Sequence, residues 1–370
     1  MKLLGKNVFK ATKSSMEAEI YEQSKVLSNL VQTYHLSDLE LPENVKKVVI
    51  VASGTSYHCA KYAVGIFETY AGIEAQAIYS SELLLKNVIP HDEGTLYIFI
   101  TQSGETSDTL MAVKKVEEYG LDTLCITNKA NSSIWNMCKY KIDTKAGEEK
   151  SIAATKSFTT QVFCILVIAL KLAESPDKKN LTDWTSSEND SEQVKTLVNS
   201  ITQIPEIVEK TLDMRKKIKQ LARLICKDNC AFVVADGIAH ALALETALKI
   251  KETSFKNINP ALMGEFMHGH VAVFNNKKSA LVYVSVSGIP YNTIQYLNKI
   301  KKDYNPSIYI IGKPNEKFSP NFNISVDCNT EILQAFSNIV IAQLLALEIA
   351  IRLGRDIDNP NGLQKVVKVG

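Results

Sequence analysis

Lys249 and Glu252 stand three residues apart in the run ALKIKETSF. On a helix that spacing sets an ammonium and a carboxylate on one face, where they can be aimed at one ligand as acid and base. Taken alone, the pair reads more simply as a surface ion pair. Two hydroxyl-rich turns offer a second chemistry. Ser53, Gly54, Thr55 and Ser56 follow the β-branched run KVVIVA, and Thr101, Gln102, Ser103 and Thr106 lie in the turn that follows TLYIFI. A turn that opens a helix presents backbone N–H groups and the positive end of the helix dipole, and its Ser and Thr hydroxyls add donors, so a phosphate is held there without a lysine. Any single turn of this kind is equally a helix cap. Two on successive strands point to a small phosphorylated ligand. Neither matches GxxxxGK[ST] or GxGxxG, which argues against nucleoside triphosphates and dinucleotides.

A sheet must hold those turns. Lys47 to Ala52, Thr95 to Ile100 and Leu124 to Thr127 are apolar, strand-like runs, with helical periodicity after the first from His58 to Tyr70 and after the second as far as Tyr119. This alternation predicts a parallel sheet covered by helices on both faces. The same order of parts returns in the second half, with strands expected at Cys230 to Ala235, Ser279 to Val286 and Ser307 to Ile311, and with Glu82 in SSEL answered by Glu265 in MGEF. The reading is two copies of one α/β unit. The first is rich in turn hydroxyls and the second poor, so one copy grips a ligand that the other frames. Helices are expected ahead of each copy, over Met16 to Tyr34 and Val194 to Ile225, and the polar stretch Glu174 to Gln193 reads as a surface linker.

A chain of 370 residues has room for about two domains. Hydrophobic residues make up 45% and charged ones 22%, which excludes disorder and fibres. With 42 Lys and Arg against 40 Asp and Glu, there is no electrostatic footprint for nucleic acid or an anionic membrane surface. The longest apolar stretch, Val162 to Leu172, falls short of the roughly 20 residues that cross a bilayer, and Met1 to Lys10 lacks the apolar core of a secretion signal. A soluble, cytoplasmic protein is expected. Seven cysteines without a CxxC pair, several of them inside apolar runs (Cys125, Cys164, Cys226), read as buried reduced thiols. The six histidines lie far apart except His268 and His270, so neither a catalytic metal nor another cofactor is expected.

The stretches SGTSYH at Ser53 to His58, TQSGETSDT at Thr101 to Thr109 and AGEEKSIAATKSFTTQ at Ala146 to Gln161 resemble the sugar isomerase (SIS) domain family. Within it they resemble the branch that contains the isomerase half of glucosamine-6-phosphate synthase and the SIS-type glucosamine-6-phosphate deaminases. The resemblance runs from about Met16 to the C-terminus and implies two tandem SIS domains, each a flavodoxin-like three-layer sandwich. The expected layout is an N-terminal helical segment over 1–46, SIS domains over 47–173 and 195–352, a linker over 174–194 and an active-site tail over 353–370.

By that resemblance, Ser53, Gly54, Thr55, Ser56, Thr101, Gln102, Ser103 and Thr106 hold the 6-phosphate and the sugar hydroxyls, with Ile152 and Ala154 lining the site. Glu252 moves a proton between C1 and C2, and Lys249 steadies the charge developing on oxygen. His268, in GEFMHGH, corresponds to a histidine that opens the sugar ring, often from a neighbouring subunit of a homodimer; His270 stands where the family usually has proline. The basic end that contains Lys365 reads by composition as a solvated terminus. In the family the matching lysine forms a Schiff base with the ketose C2 carbonyl. Its amine attacks only when neutral, which calls for desolvation or adjacent positive charge, and Lys249 is the expected source of that charge.

The synthase carries a glutaminase domain ahead of its isomerase half, whereas this chain reaches its first SIS strand within about fifty residues, so glutamine-dependent transfer is not expected of it alone. GEEKSIAATKS and GLQKVV resemble the deaminases; YEQ at Tyr21 to Gln23 and GRDIDNP at Gly354 to Pro360 resemble the synthase. The favoured activity is deamination of glucosamine 6-phosphate to fructose 6-phosphate and ammonia. Alternatives are an ammonia-dependent synthase, with or without a separate glutaminase; a chain that is the isomerase part of a longer protein; and a non-catalytic sugar-phosphate sensor. A sensor has no use for Glu252, His268 and Lys365 together.

Overall fold

The computed structural model describes residues 14–173, 191–275, 278–360 and 362–365. Most of the expected linker, at 174–190, the start of the N-terminal segment and the tail beyond Lys365 lie outside the described residues. The first sheet consists of five parallel strands, β1 (Lys47–Ala52), β2 (Glu74–Tyr79), β3 (Thr95–Ile100), β4 (Asp122–Thr127) and β5 (Tyr140–Asp143), in the order β2-β1-β3-β4-β5. The second consists of β6 (Cys230–Ala235), β7 (Ile258–Leu262), β8 (Ser279–Ser285), β9 (Ser307–Gly312) and β10 (Phe322–Ile324), in the order β10-β9-β8-β6-β7, which is the same order read from the opposite edge. Register repeats as well: Ala52 pairs with Tyr79 and Ile100, and Ala235 with Leu262 and Val284.

In chain order the helices are α1 (Ser15–Thr33), α2 (Gly54–Ile66), α3 (Ser80–Leu85), α4 (Ser107–Glu117), α5 (Ser133–Met137), α6 (Lys156–Leu172), α7 (Glu192–Leu212), α8 (Arg215–Ile225), α9 (Ala239–Ser254), α10 (Met263–Phe266), α11 (Tyr291–Tyr304) and α12 (Glu331–Arg352). The strand period of two assigns alternate residues to different cores. Val48, Ile50 and Ala52 of β1 join Ala231, Val233 and Ala235 of β6 in one core that both sheets share with α1, α2, α6, α7, α8, α9 and α12. Val49 and Val51 face a smaller core under α3, α4 and α5, while Phe232 and Val234 face another under α10 and α11. The result is a pair of three-layer α/β units fused through their inner helices.

The stretch expected to be helical from Val194 to Ile225 divides at Asp213 and Met214 into α7 and α8, and α7 starts at Glu192, capped by Ser191. By length and composition α12 is apolar enough to cross a membrane, yet that apolar window is wholly buried, and α12 packs against α7, α8 and α9. It is the inner helix of the shared core, where each fully buried Leu or Ile contributes roughly 1.5–3 kcal/mol. All seven cysteines are free; Cys125 and Cys164 are buried, and Cys226 only half so.

Candidate active site

The turns after β1 and β3 leave the sheet at the carboxyl ends of adjacent strands, beside the point where strand order reverses, which is where open parallel sheets bind ligands. Two glycines shape them. Gly54 has φ +55° and Gly104 φ +70°, both in the left-handed region that strains a side chain. A Cβ on Gly104 would also stand 2.1 Å from Ser132 Oγ. Ser53 and Thr106 occupy the N-cap positions of α2 and α4, but neither side chain caps its helix. Thr106 Oγ1 lies 3.1 Å from Thr101 Oγ1 instead, and Ser103 Oγ accepts the Glu105 N–H at 3.1 Å. The hydroxyls therefore line the adjoining cavity of about 600 Å³ rather than closing the helix ends.

That cavity gathers the expected residues with one exception. The two turns contribute Ser53, Gly54, Thr55, Ser56, Thr101, Gln102, Ser103 and Thr106; the loop between β5 and α6 contributes Ile152 and Ala154; α9 contributes Lys249 and Glu252; and the tail contributes Lys365 with Gly362, Leu363 and Gln364. His268 is not among them. It is exposed in the turn after α10, its N–H donating to the Glu265 carbonyl at 3.0 Å. His270 is exposed too, its ring centroid 6.3 Å from Phe266 and 6.1 Å from Phe232. Glu82 and Glu265 take matching first-turn positions in α3 and α10, and neither lines the cavity.

Glu245, Lys249 and Glu252 form one stripe of α9, and behind it runs a buried chain of charge. Lys249 Nζ is 2.5 Å from Glu252 Oε2 and 3.6 Å from Glu245 Oε1. Glu245 accepts from Thr55 Oγ1 at 3.3 Å and meets His58 Nδ1 at 2.7 Å, so it ties the second α/β unit to α2 of the first. Burial by itself would discharge Lys249, but the carboxylates of Glu252 and Glu245 outweigh it and hold its pKa above the ordinary lysine value. Burial likewise opposes the charge on Glu245, and Lys249 and His58 overcome it, keeping that carboxyl below the usual range. Lys249 is thus balanced by two carboxylates. That pairing leaves less of its positive charge to act on Lys365 than a lone ammonium would offer.

Deleting one member of such a buried chain is expected to cost about 3–5 kcal/mol. Because the Glu245 pKa is depressed, its contribution is complete above the unfolded carboxylate value of about 4.3 and is lost as pH falls through the lower folded value. The stability gap between the parent protein and Glu245→Gln, measured by urea unfolding, should therefore be full near neutrality and shrink below about pH 4. A gap that ignores pH would mean that the charge of Glu245 contributes nothing.

Glu149 is a cavity residue that the sequence conceals, because Glu148-Glu149-Lys150 reads as a solvated charge run. Its Oε1 accepts the N–H groups of Thr155 and Ser157 at 2.9 and 3.1 Å, while Oε2 accepts Ser157 Oγ at 2.7 Å and Lys365 Nζ at 2.9 Å. Lys365 also donates to the Ser151 carbonyl. Burial would raise the Glu149 pKa; Lys365 and the backbone donors outweigh it and hold the carboxyl below the ordinary value. Helix α1 clamps both partners. Glu19 accepts the Lys150 and Ser151 N–H groups, and Asp358, upstream of Lys365, accepts those of Ser15 and Met16 at 2.9 and 3.3 Å. Asp108 and Thr109 of α4 also line the cavity without having been expected there.

The second unit differs at the matching position. Asp236, which follows β6 as Ser53 follows β1, accepts from Tyr283 Oη at 2.8 Å and Thr293 Oγ1 at 2.6 Å. A carboxylate there repels an anion, so the asymmetry read from the hydroxyls is present in the fold.

The two matched sheets, each with its helices, define the class: the chain belongs to the SIS domain family, whose model matches residues 43–171 and 223–353. Among its relatives, glutamine–fructose-6-phosphate aminotransferase [isomerizing] of Campylobacter jejuni is 32% identical over 364 residues, covering 96% of this chain and 58% of that protein. The enzyme of the same name from Methanosarcina acetivorans is 31% identical with the same coverage. The chain thus spans a little under three-fifths of these relatives, 58% in each case. The solved C-terminal domain of glucosamine-fructose-6-phosphate aminotransferase from Francisella tularensis matches with TM-score 0.82 at 25% identity, covering 94% of this chain and 99% of that one. Glucosamine-6-phosphate deaminase from Thermotoga maritima shares the fold at TM-score 0.74 and 21% identity, covering 96% of this chain and 99% of its own.

Proposed function

We propose that this chain interconverts glucosamine 6-phosphate with fructose 6-phosphate and ammonia, in the deaminating direction. The supporting observation is convergence: an uncapped hydroxyl cradle, the Glu252–Lys249 pair and the Lys365 amine line one cavity of about 600 Å³, within the usual size for a small-molecule site. In this reading the cradle holds the phosphate. Glu252 moves the proton between C2 and C1 of the opened sugar, and Lys249 faces the oxygen on which charge develops. That transfer makes an imine at C2; Lys365 displaces its nitrogen as ammonia, and water then hydrolyses the new Schiff base to the ketose. His268 lies outside the cavity of its own chain, so ring opening falls to the His268 of a second copy in a homodimer. The names of the relatives carry fructose 6-phosphate, and that of a structural neighbour carries glucosamine 6-phosphate.

A second reading, synthesis of the amino sugar from ammonia, is favoured by those relatives being aminotransferases. The test is to offer purified protein glucosamine 6-phosphate while following fructose 6-phosphate and ammonia, then fructose 6-phosphate with ammonium or with glutamine. Deamination is the expected result. Product in the reverse mixtures alone would favour synthesis and identify the nitrogen donor, and tight binding without turnover in any mixture would leave a sensor.

Replacing Ser103 and Thr106 together by alanine removes two hydroxyls from the cradle. Hydrogen bonds to charged groups contribute about 1.5–3 kcal/mol each, so KM should rise by on the order of a hundredfold or more, with a smaller change in kcat. An unchanged KM would place the phosphate elsewhere.

A further inference from the structure

We infer that Glu149 is the counter-ion of the protonated Schiff base formed on Lys365, an assignment that rests on the reaction proposed above. Glu149 is 7% exposed, and its two oxygens accept the Thr155 and Ser157 N–H groups and Ser157 Oγ. Those three donors are fixed to the start of α6, so they hold the carboxylate in place whether or not the tail is present. Its remaining bond, 2.9 Å to Lys365 Nζ, joins it to the nitrogen that would react.

The charge balance of the chemistry suits a fixed anion at that position. The Lys365 ammonium sheds a proton, the free amine adds to the C2 carbonyl, and the resulting carbinolamine loses its hydroxyl. The shed proton leaves with that hydroxyl as water. The net change is ammonium plus ketone to iminium plus water, so Nζ carries one positive charge before and after. A buried carboxylate beside Nζ stabilises both end states without moving, and keeps the iminium protonated, hence electrophilic, toward ammonia or water.

Other charges face this pair from each element packed on it. Glu19 of α1 lies behind the loop, bonded to the Lys150 and Ser151 N–H groups. Lys249 of α9 is already balanced by Glu245 and Glu252, and Lys156 of α6 by Glu22 at 2.6 Å. Lys150 pairs outward with Glu148 at 3.7 Å. Glu149 is therefore the carboxylate in contact with the Lys365 amine.

The experiment is reductive trapping with cyanoborohydride and fructose 6-phosphate across pH 5 to 10, with the adduct assigned to Lys365 by peptide mass. Glu149→Gln removes the negative charge beside Nζ and so weakens the hold on positive charge there, on amine and iminium alike. Both limbs of the trapping profile should move to lower pH. Glu149→Asp, which keeps the charge but draws it back by one methylene, should move them the same way by less. A purely structural role would lower the yield and leave the limbs in place, and that result overturns the assignment. So does loss of the adduct at every pH in both variants, because a missing counter-ion displaces trapping rather than abolishing it. No adduct in the parent protein at any pH removes the proposed reaction itself, and with it this role; a parent adduct with unmoved limbs removes the counter-ion alone.

Discussion

Glu252→Gln is expected to bind a hexose 6-phosphate as the parent protein does and to lose roughly a hundredfold or more of aldose–ketose conversion, since a positioned base contributes about 10²–10⁴. The substitution is clean because of what surrounds the carboxylate. The Glu252 side chain is 22% exposed, and its partner is Lys249 Nζ at 2.5 Å. A glutamine oxygen still accepts from that ammonium, so Lys249 keeps a partner there and the buried chain through Glu245 and His58 stays intact. Lys249→Met is a poorer probe, because it strips Glu245 of its neighbouring cation inside the protein. The direct readout is loss of the C1 proton of fructose 6-phosphate to deuterated water, followed by proton NMR. That exchange needs no nitrogen donor, so it reports on the base whichever direction the protein runs. Exchange at the parent rate in a folded Glu252→Gln variant would assign the base to another group.

The parts of this fold that can be read from one sequence are those whose environment is local. The runs at β1, β3, β6 and β8 are apolar on both faces because each strand divides its residues between two cores, and their boundaries follow from composition to within a residue or so. Edge strands do not announce themselves. β2 is exposed or half-buried apart from Ile78, β7 contains Pro260, and β10 is three residues long, so each resembles a loop until a neighbour supplies its hydrogen bonds.

The site divides along the same line. The cradle is legible because hydroxyls and glycine at the end of a buried strand imply a turn that opens a helix. Glu149 is not, because its meaning comes from a partner 216 residues away and from burial that a run of charge disguises. Glu245 and His58 escape notice for the same reason: each looks like an ordinary helix residue until α9 of one unit is laid on α2 of the other. His268 is the reverse case. Its role came from the family resemblance, and a single chain leaves it exposed and away from the cavity.

Lys365→Arg is expected to abolish the cyanoborohydride-trappable adduct with fructose 6-phosphate while leaving the tail in place. Among the described residues two lysines line the cavity, and their settings make unequal nucleophiles. The Lys249 side chain is 1% exposed, anchored on a helix, and its raised pKa keeps it an ammonium between two carboxylates. Lys365 is 26% exposed on a chain segment held by α1, and it can reach a bound sugar by giving up one proton and its bonds to Glu149 and the Ser151 carbonyl. Arginine separates charge from nucleophilicity: it remains protonated throughout the accessible pH range, so it can still pair with Glu149 yet cannot form an imine. Lys365→Ala removes both properties and leaves a buried carboxylate without its cation, so it should lose the adduct and also lower the urea midpoint. The two variants therefore agree on chemistry and differ on stability. Trapped sugar on the Lys249 peptide, or an adduct that persists in Lys365→Arg, would transfer the Schiff base away from the tail and leave Glu149 with no iminium to balance.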